Sequence, residues 1–185
     1  FASIGKKEDK IIVEVISRIL QNSLRTENLR FFFVFVPRHP NDFKNCDHLF
    51  KGTSIRIKKR SELFEDNLKP AKRLALNHKI IDFDAIWGDS LGELNFYMSL
   101  ADIVFMGDSF NEEGSHNIIE PFALNKPVLV GPSIWGIEYP AMEALEAKIL
   151  KQVFSKAELI KELWNFGEKF KKHSIKITIF PFTKS

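Results

Sequence analysis

The sequence predicts an α/β domain built on a doubly wound parallel sheet, and three observations carry that expectation. Phe31-Phe32-Phe33-Val34-Phe35-Val36 is a continuous apolar run, as a parallel strand buried on both faces requires, and Pro37 and Pro40 end it at once. Apolar runs alternate with stretches of helical periodicity along most of the chain. Three polar loops, 37–40, 88–93 and 107–117, follow apolar segments, and in open α/β sheets ligands bind outside the carboxyl ends of the strands.

Taken in order, Phe1-Ala2-Ser3 reads as the end of a strand and Ser3-Ile4-Gly5 as a strand-to-helix loop. Ile12, Val15, Ile16, Ile19 and Leu20 place a helix over residues 8–21. After the Phe-rich strand, a short helix is expected over 41–50, then strands over 53–57 and 79–83, with 63–76 unassigned between them. A turn at Gly88-Asp89-Ser90-Leu91-Gly92-Glu93 opens a helix ending near Ala101. The strand Ile103-Val104-Phe105-Met106 enters a loop of Gly, Asp, Ser, Asn and Glu, and a helix is expected to open between Ser115 and Asn117. Pro127-Val128-Leu129-Val130 is the next strand, 139–148 a helix, 149–153 a last strand, and 156–171 an amphipathic helix capped by Ser155. Residues 1–172 thus form one domain, and 173–185 a tail without an assigned role.

Charge is unevenly spread. From Lys151 onward there are eight lysines and three acids, whereas the first 150 residues carry 19 basic and 21 acidic side chains. That pattern does not suggest nucleic acid as a partner, which would call for a basic stripe across the domain. The C-terminal lysines and the cluster Arg56-Ile57-Lys58-Lys59-Arg60 are of the kind that associate with anionic membrane surfaces, although the cluster also reads as a solvated strand end. The single cysteine, Cys46, offers neither an internal disulfide nor a metal pattern, and a reduced compartment fits it. The chain opens without a methionine, and a piece of a longer protein is expected.

The chemistry-bearing residues lie on the three loops. Arg38-His39 reads either as a fixed cation for a phosphate with a histidine against the nucleotide, or as a salt-bridged arginine beside a loop histidine. Gly92-Glu93 either presents backbone N–H groups to a base edge or supplies a first-turn acid to its own helix. The 107–117 loop running into a helix forms an anion cradle, since N–H groups at a helix start lack internal partners. Asn117 and Glu120 share one helix face, where Asn reaches a phosphate or caps the helix and Glu accepts from vicinal hydroxyls. His116 reads as a surface residue. No GxGxxG, GxxxxGK[ST] or GxSxG pattern is present, and no metal site is expected from the five histidines. No residue stands out as base or nucleophile, which points to a binding half whose partner half carries the chemistry.

These motifs together, Arg38-His39-Pro40, Gly88-Asp89-Ser90-Leu91-Gly92-Glu93-Leu94, Gly107-Asp108-Ser109 through Gly114-Ser115-His116-Asn117-Ile118-Ile119-Glu120-Pro121, and Pro127 to Pro132, resemble the 3-deoxy-D-manno-octulosonic acid (Kdo) transferases of lipopolysaccharide assembly over roughly residues 2–152. The resemblance implies the Rossmann-like C-terminal, donor-binding half of a two-domain GT-B glycosyltransferase. It implies CMP-Kdo as donor substrate with no cofactor. Arg38 and His39 then hold the nucleotide, Leu91, Gly92 and Glu93 contact the cytidine, and Asn117, Ile118, Ile119 and Glu120 hold phosphate and ribose. The general base, the site for a lipid A precursor and a membrane anchor are expected in an N-terminal domain. The full-length enzyme is expected at the cytoplasmic face of the inner membrane and this domain alone to be soluble and inactive. A non-catalytic nucleotide-binding module, or a fragment of a UDP-sugar transferase or epimerase, are the alternatives. The sequence departs from the family's paired glycines at Gly107-Asp108 and Gly114-Ser115, and Asp108 beside a phosphate is unfavourable unless it turns away.

Overall fold

A computed structural model describes residues 1–25, 29–65, 68 and 82–170. Among them, six short parallel strands alternate with helices: β1 (Phe33–Phe35), β2 (Ile57–Lys59), β3 (Ala85–Trp87), β4 (Val104–Met106), β5 (Val128–Val130) and β6 (Leu150–Gln152). They form two three-stranded units, in the orders β1-β3-β2 and β4-β5-β6. Residues 1–4 lie between the units, with parallel bridges from Ala2 to Met106 and from Ile4 to Pro37. The backbone bonds Ala2 N–H to Phe105 O (2.9 Å) and Ile4 N–H to Val36 O (2.9 Å) close the seam. Chain order therefore reverses at this seam, β1 lying on one side and β4 on the other.

The pleat explains why both faces are apolar. Phe105 and Leu129 pack into one core with Ile12, Ile16 and Ile19 of α1 (Asp9–Ser23), with Phe35 and Trp87, and with Leu159 and Leu163 of α7 (Lys156–Phe170). Their neighbours Val104, Met106, Val128 and Val130 face the opposite core, with Met98 of α4 (Leu94–Leu100), Ile118 beside α5 (Ile119–Ala123), and Ala141 of α6 (Glu138–Glu146). Alternate residues of one strand thus feed two cores, the arrangement of a doubly wound sheet. Ser155 Oγ accepts the Glu158 N–H at 3.1 Å and caps α7 as the sequence predicts. No described helix is long and apolar enough to cross a membrane.

Several expected elements move. The strand expected over 53–57 lies at Ile57–Lys59, and among the described residues a strand not expected from the sequence runs over Ala85–Trp87. Residues 79–81 of the strand expected over 79–83, most of 63–76 and the tail 173–185 lie outside the described residues. Residues 41–50 form a 3-10 turn, Pro40–Asn45, followed by the one-turn α2 (Cys46–Leu49). The helix expected to open between Ser115 and Asn117 starts only at Ile119 and is five residues long. The Arg56–Arg60 cluster is solvated at Arg56 and Lys58, as expected of a strand end, but Arg60, the first residue of α3 (Arg60–Leu63), is 5% exposed. Within that cluster Arg56 pairs with Asp82 and Asp84, and Lys59 with Asp47.

A buried carboxylate ties α1 to the loop after β4. Glu8 is fully enclosed, and its oxygens accept the Asp108 N–H at 2.7 Å and the Phe110 N–H at 2.9 Å. Asp108 takes a left-handed backbone, φ +58°, and points its carboxylate into space left free by Gly5. A Cβ at position 5 would stand 1.6 Å from Asp108 Oδ1. Asn111 Nδ2, donating at 3.0 Å, holds that same oxygen in place.

Two expectations follow from this brace. Burial pushes the Glu8 carboxyl up to about 7, against the opposing pull of the Phe110 and Asp108 N–H groups. The native chain therefore keeps a proton that the unfolded chain releases near pH ~4.3, so stability falls as pH rises between those values and levels off above the higher one. Denaturant titrations across this window should show wild type losing about 3 kcal/mol more than Glu8→Gln; equal slopes would mean that Glu8 stays ionised throughout. Gly5→Ala should cost on the order of 1–3 kcal/mol through overpacking. Adding Asp108→Gly to Gly5→Ala should recover most of that loss, because the obstructing carboxylate goes and glycine suits the left-handed backbone.

Candidate functional site

The reversal of strand order sets the topological switch point at the carboxyl ends of residues 1–4 and β4, the place where open α/β sheets take ligands. Arg38 arrives there from β1, its backbone N–H donating to Ile4 O at 3.0 Å. Loop 107–117 arrives from β4. The two meet through side chains: Arg38 Nε stands 3.5 Å from Asp108 Oδ2, and its guanidinium lies against the His116 ring. His116 Nε2 is 2.8 Å from the same Asp108 oxygen. Burial lowers the His116 pKa, while the bond to Asp108 works to raise it and the Arg38 charge adds to the lowering.

This cluster alters two sequence-based expectations. Asp108 does turn away from solvent, its side chain only 3% exposed, but it stays within reach of Arg38. Arg38 is therefore a compensated cation, with 37% of its side chain still open to an incoming anion. Part of the backbone cradle expected of the loop is already engaged. Glu8 takes the Asp108 and Phe110 N–H groups, Ala2 O takes the Gly107 N–H at 2.8 Å, and Asn111 Oδ1 takes the Glu113 N–H at 2.8 Å. A five-residue helix adds little dipole of its own.

At the far end of the loop, Asn117 Oδ1 accepts the Ile119 N–H at 3.0 Å and Asn117 Nδ2 donates to Glu120 Oε1 at 3.2 Å. The capping role and the shared face expected for this pair are both present, with Asn117 exposed and Glu120 partly so. Ile118 is wholly buried, so only its backbone can meet a ligand, whereas Ile119 is 59% exposed. Ser115 Oγ is buried without a hydrogen-bond partner, alone in this among the described buried side-chain atoms.

The third loop follows β3 and sits beside Arg38's strand, its Gly88 N–H donating to Phe35 O at 2.8 Å. Leu91 and Gly92 face solvent. Glu93 does not. Its carboxylate receives Arg60 Nε at 2.7 Å and Ser90 Oγ at 2.6 Å, with Tyr97 packed alongside. Burial, the larger influence, pushes the Tyr97 hydroxyl up to about 12, so it remains a donor at neutral pH. His39 is exposed, and its carbonyl accepts the Asp42 N–H at 2.9 Å to start the 3-10 turn. Helices α4 and α5 are packed neighbours, which brings the 88–93 loop and the Asn117–Glu120 corner to one rim.

Sequence reasoning missed Glu8, Arg60 and the structured role of His116. Arg60 left one usable sign: a cation opening a helix opposes the dipole, so its charge serves something outside that helix. Glu8 left none, since an acid at a helix start is ordinary.

No family model matches the chain. Among curated proteins, the 3-deoxy-D-manno-octulosonic acid transferase of Bordetella pertussis is 29% identical over 146 residues, covering 79% of this chain and 31% of that protein. The Haemophilus influenzae protein of the same name is 31% identical over 132 residues, covering 70% of this chain and 26% of its own length. A bifunctional glycosyltransferase/methyltransferase of Fusobacterium nucleatum is 30% identical over 156 residues, covering 84% of this chain and 21% of that protein. The chain thus spans between a fifth and a third of the curated relatives it matches. Among solved structures, the C-terminal CMP-Kdo binding domain of WaaA from Acinetobacter baumannii superposes with a TM-score of 0.70 at 22% identity, covering 91% of this chain and 79% of that one. By sequence the chain is a relative of the 3-deoxy-D-manno-octulosonic acid transferases, and by fold it is a Rossmann-like domain of the GT-B type.

Proposed function

We propose that this chain is the donor-binding domain of a glycosyltransferase that moves Kdo from CMP-Kdo to a lipid A precursor, with inversion, in lipopolysaccharide biosynthesis. The observation that carries the reading is the convergence on one rim of Arg38 and His39, the Leu91-Gly92-Glu93 turn, and the corner running from Asn117 through Ile118 and Ile119 to Glu120. The names of its relatives and the CMP-Kdo binding domain that shares its fold support it.

In this reading Arg38 meets the phosphate of CMP, with His39 beside it, and the 88–93 turn meets the cytosine. Asn117 and Glu120 meet phosphate and ribose hydroxyls. During transfer the acceptor oxygen bonds to the Kdo anomeric carbon while the bond from that carbon to the phosphate oxygen breaks. The electron pair leaves with CMP, and the acceptor's proton goes to a base in the N-terminal domain of the longer protein. Negative charge grows on the phosphate as it departs, and a guanidinium already in place stabilises that charge without reorganising. Acceptor binding and attachment at the cytoplasmic face of the inner membrane belong to the longer protein, and residues 1–172 are the donor domain within it.

Calorimetric titration with CMP, CDP, UMP and UDP tests the assignment. CMP should bind in preference to UMP, and Arg38→Ala and Glu120→Ala should each weaken it by on the order of 1–3 kcal/mol, as for hydrogen bonds to charged groups. Preference for UDP, or CMP affinity unchanged in both variants, would instead point to a UDP-sugar enzyme or a general nucleotide-binding module. Supplied with CMP-Kdo and a lipid A precursor, the 185-residue chain alone should form no glycoside. Product formation by it would place the base within these residues.

A further inference from the structure

We infer that Arg60, which lies outside the expected contact residues, is a positioning residue that sets nucleobase selectivity by holding the 88–93 turn from behind. The inference rests on the donor-binding reading and extends it to a residue that touches no ligand.

Arg60 and Glu93 form a fork-to-fork pair, Nε to Oε2 at 2.7 Å and Nη2 to Oε1 at 2.5 Å, with side chains 6% and 18% exposed. Such a pair fixes a plane as well as a distance, which a lysine cannot do. A third bond, Arg60 Nη1 to Phe64 O at 3.4 Å, ties the guanidinium to the end of α3. The next residue repeats the contact at the other end of the turn: Ser61 N–H donates to Asp89 Oδ1 at 3.0 Å and Ser61 Oγ to Asp89 Oδ2 at 2.5 Å. One turn of helix therefore grips Asp89 and Glu93, the two acids that bracket the loop. Between them Ser90 is drawn in by Glu93 and Tyr97, while Leu91 and Gly92 remain outside, Gly92 at φ +74°. The exposed tip is short, and its backbone direction is set at both ends by α3.

A surface built this way recognises by direction. Cytosine and uracil differ at one edge, an amino donor against a carbonyl acceptor, and backbone groups on a fixed tip can tell them apart only if they do not swing to suit both. Arg38 has a different task, since it meets the phosphate that CMP and UMP share.

The two roles give different signatures in one titration series. In the 185-residue chain, Arg38→Ala should weaken CMP and UMP by the same factor and leave their affinity ratio unchanged. Arg60→Lys should lower that ratio by about tenfold, by analogy with hydrogen-bond selectivity in buried sites, with CMP losing and UMP holding. The double variant Arg60→Leu/Glu93→Leu removes both buried charges together, so it should keep the wild-type melting temperature while also losing the ratio. Ser61→Ala, an exposed change that leaves the ion pair intact, should lower the ratio by about threefold, the loss of one solvent-exposed hydrogen bond to the Asp89 carboxylate. A wild-type chain with no preference for CMP removes the donor reading and this inference with it. A preference that survives in all three α3 variants removes this inference alone and leaves the donor reading standing.

Discussion

The carboxylate of Glu8, sealed between α1 and the loop after β4, is the contact on which the rest of the rim depends. Its two oxygens satisfy the Asp108 and Phe110 N–H groups, which would otherwise be buried without partners at the switch point of the sheet. Through those bonds the loop backbone is fixed, Asp108 is held in its left-handed conformation, and His116 and Arg38 find their positions against it. The geometry works only because position 5 has no side chain, leaving room for the Asp108 carboxylate. Gly5, Glu8, Arg38, Asp108 and His116, from three parts of the chain, thus form one coupled unit.

How far the sequence reveals this differs by kind of residue. Strands with apolar side chains on both faces announce themselves, as Phe33–Phe35, Val104–Met106 and Val128–Val130 do, because burial on two sides leaves no polar positions. The strand at Ala85–Trp87 was harder to see. It is three residues long, and its place between β1 and β2 is fixed by parallel pairing with both. Three-residue strands such as Ile57–Lys59 carry too little pattern to fix a register from sequence. Candidate site residues on loops are legible by type and position, since Arg38, Gly92, Asn117 and Glu120 are polar or flexible where a strand or its loop has just ended. Their buried supports are not. Glu8 and Arg60 are charged residues that composition assigns to the surface, and only long-range contacts, to Asp108 and Phe110 and to Glu93, bring them inside.

The cradle expected of the 107–117 loop shows the same limit from the other side. A strand, a Gly/Ser-rich loop and a helix start satisfy the sequence description of an anion site, yet the N–H groups of Asp108, Phe110, Glu113 and Ile119 are already answered by Glu8, Asn111 and Asn117. Pattern identifies which groups could be free, and the fold decides which are.

The two arginines of the rim illustrate how burial divides labour among identical side chains. Both stand near a carboxylate, but Arg60 is enclosed, doubly bonded to Glu93 and tied to Phe64, so its hydrogen-bonding capacity is directed inward. Moving it would strand a charge in low dielectric, which makes it a rigid support and a poor ligand contact. Arg38 is more than a third exposed, and its approach to Asp108 is long. A long, partly solvated pairing holds the guanidinium in place without consuming its donors, so they remain available to a phosphate whose charge grows from one to two as CMP departs. Asp108 therefore need not oppose a phosphate ligand: it keeps the cation aligned before the ligand arrives, and the enclosed face it occupies, against Gly5 and Asn111, keeps its own charge from being presented to the anion.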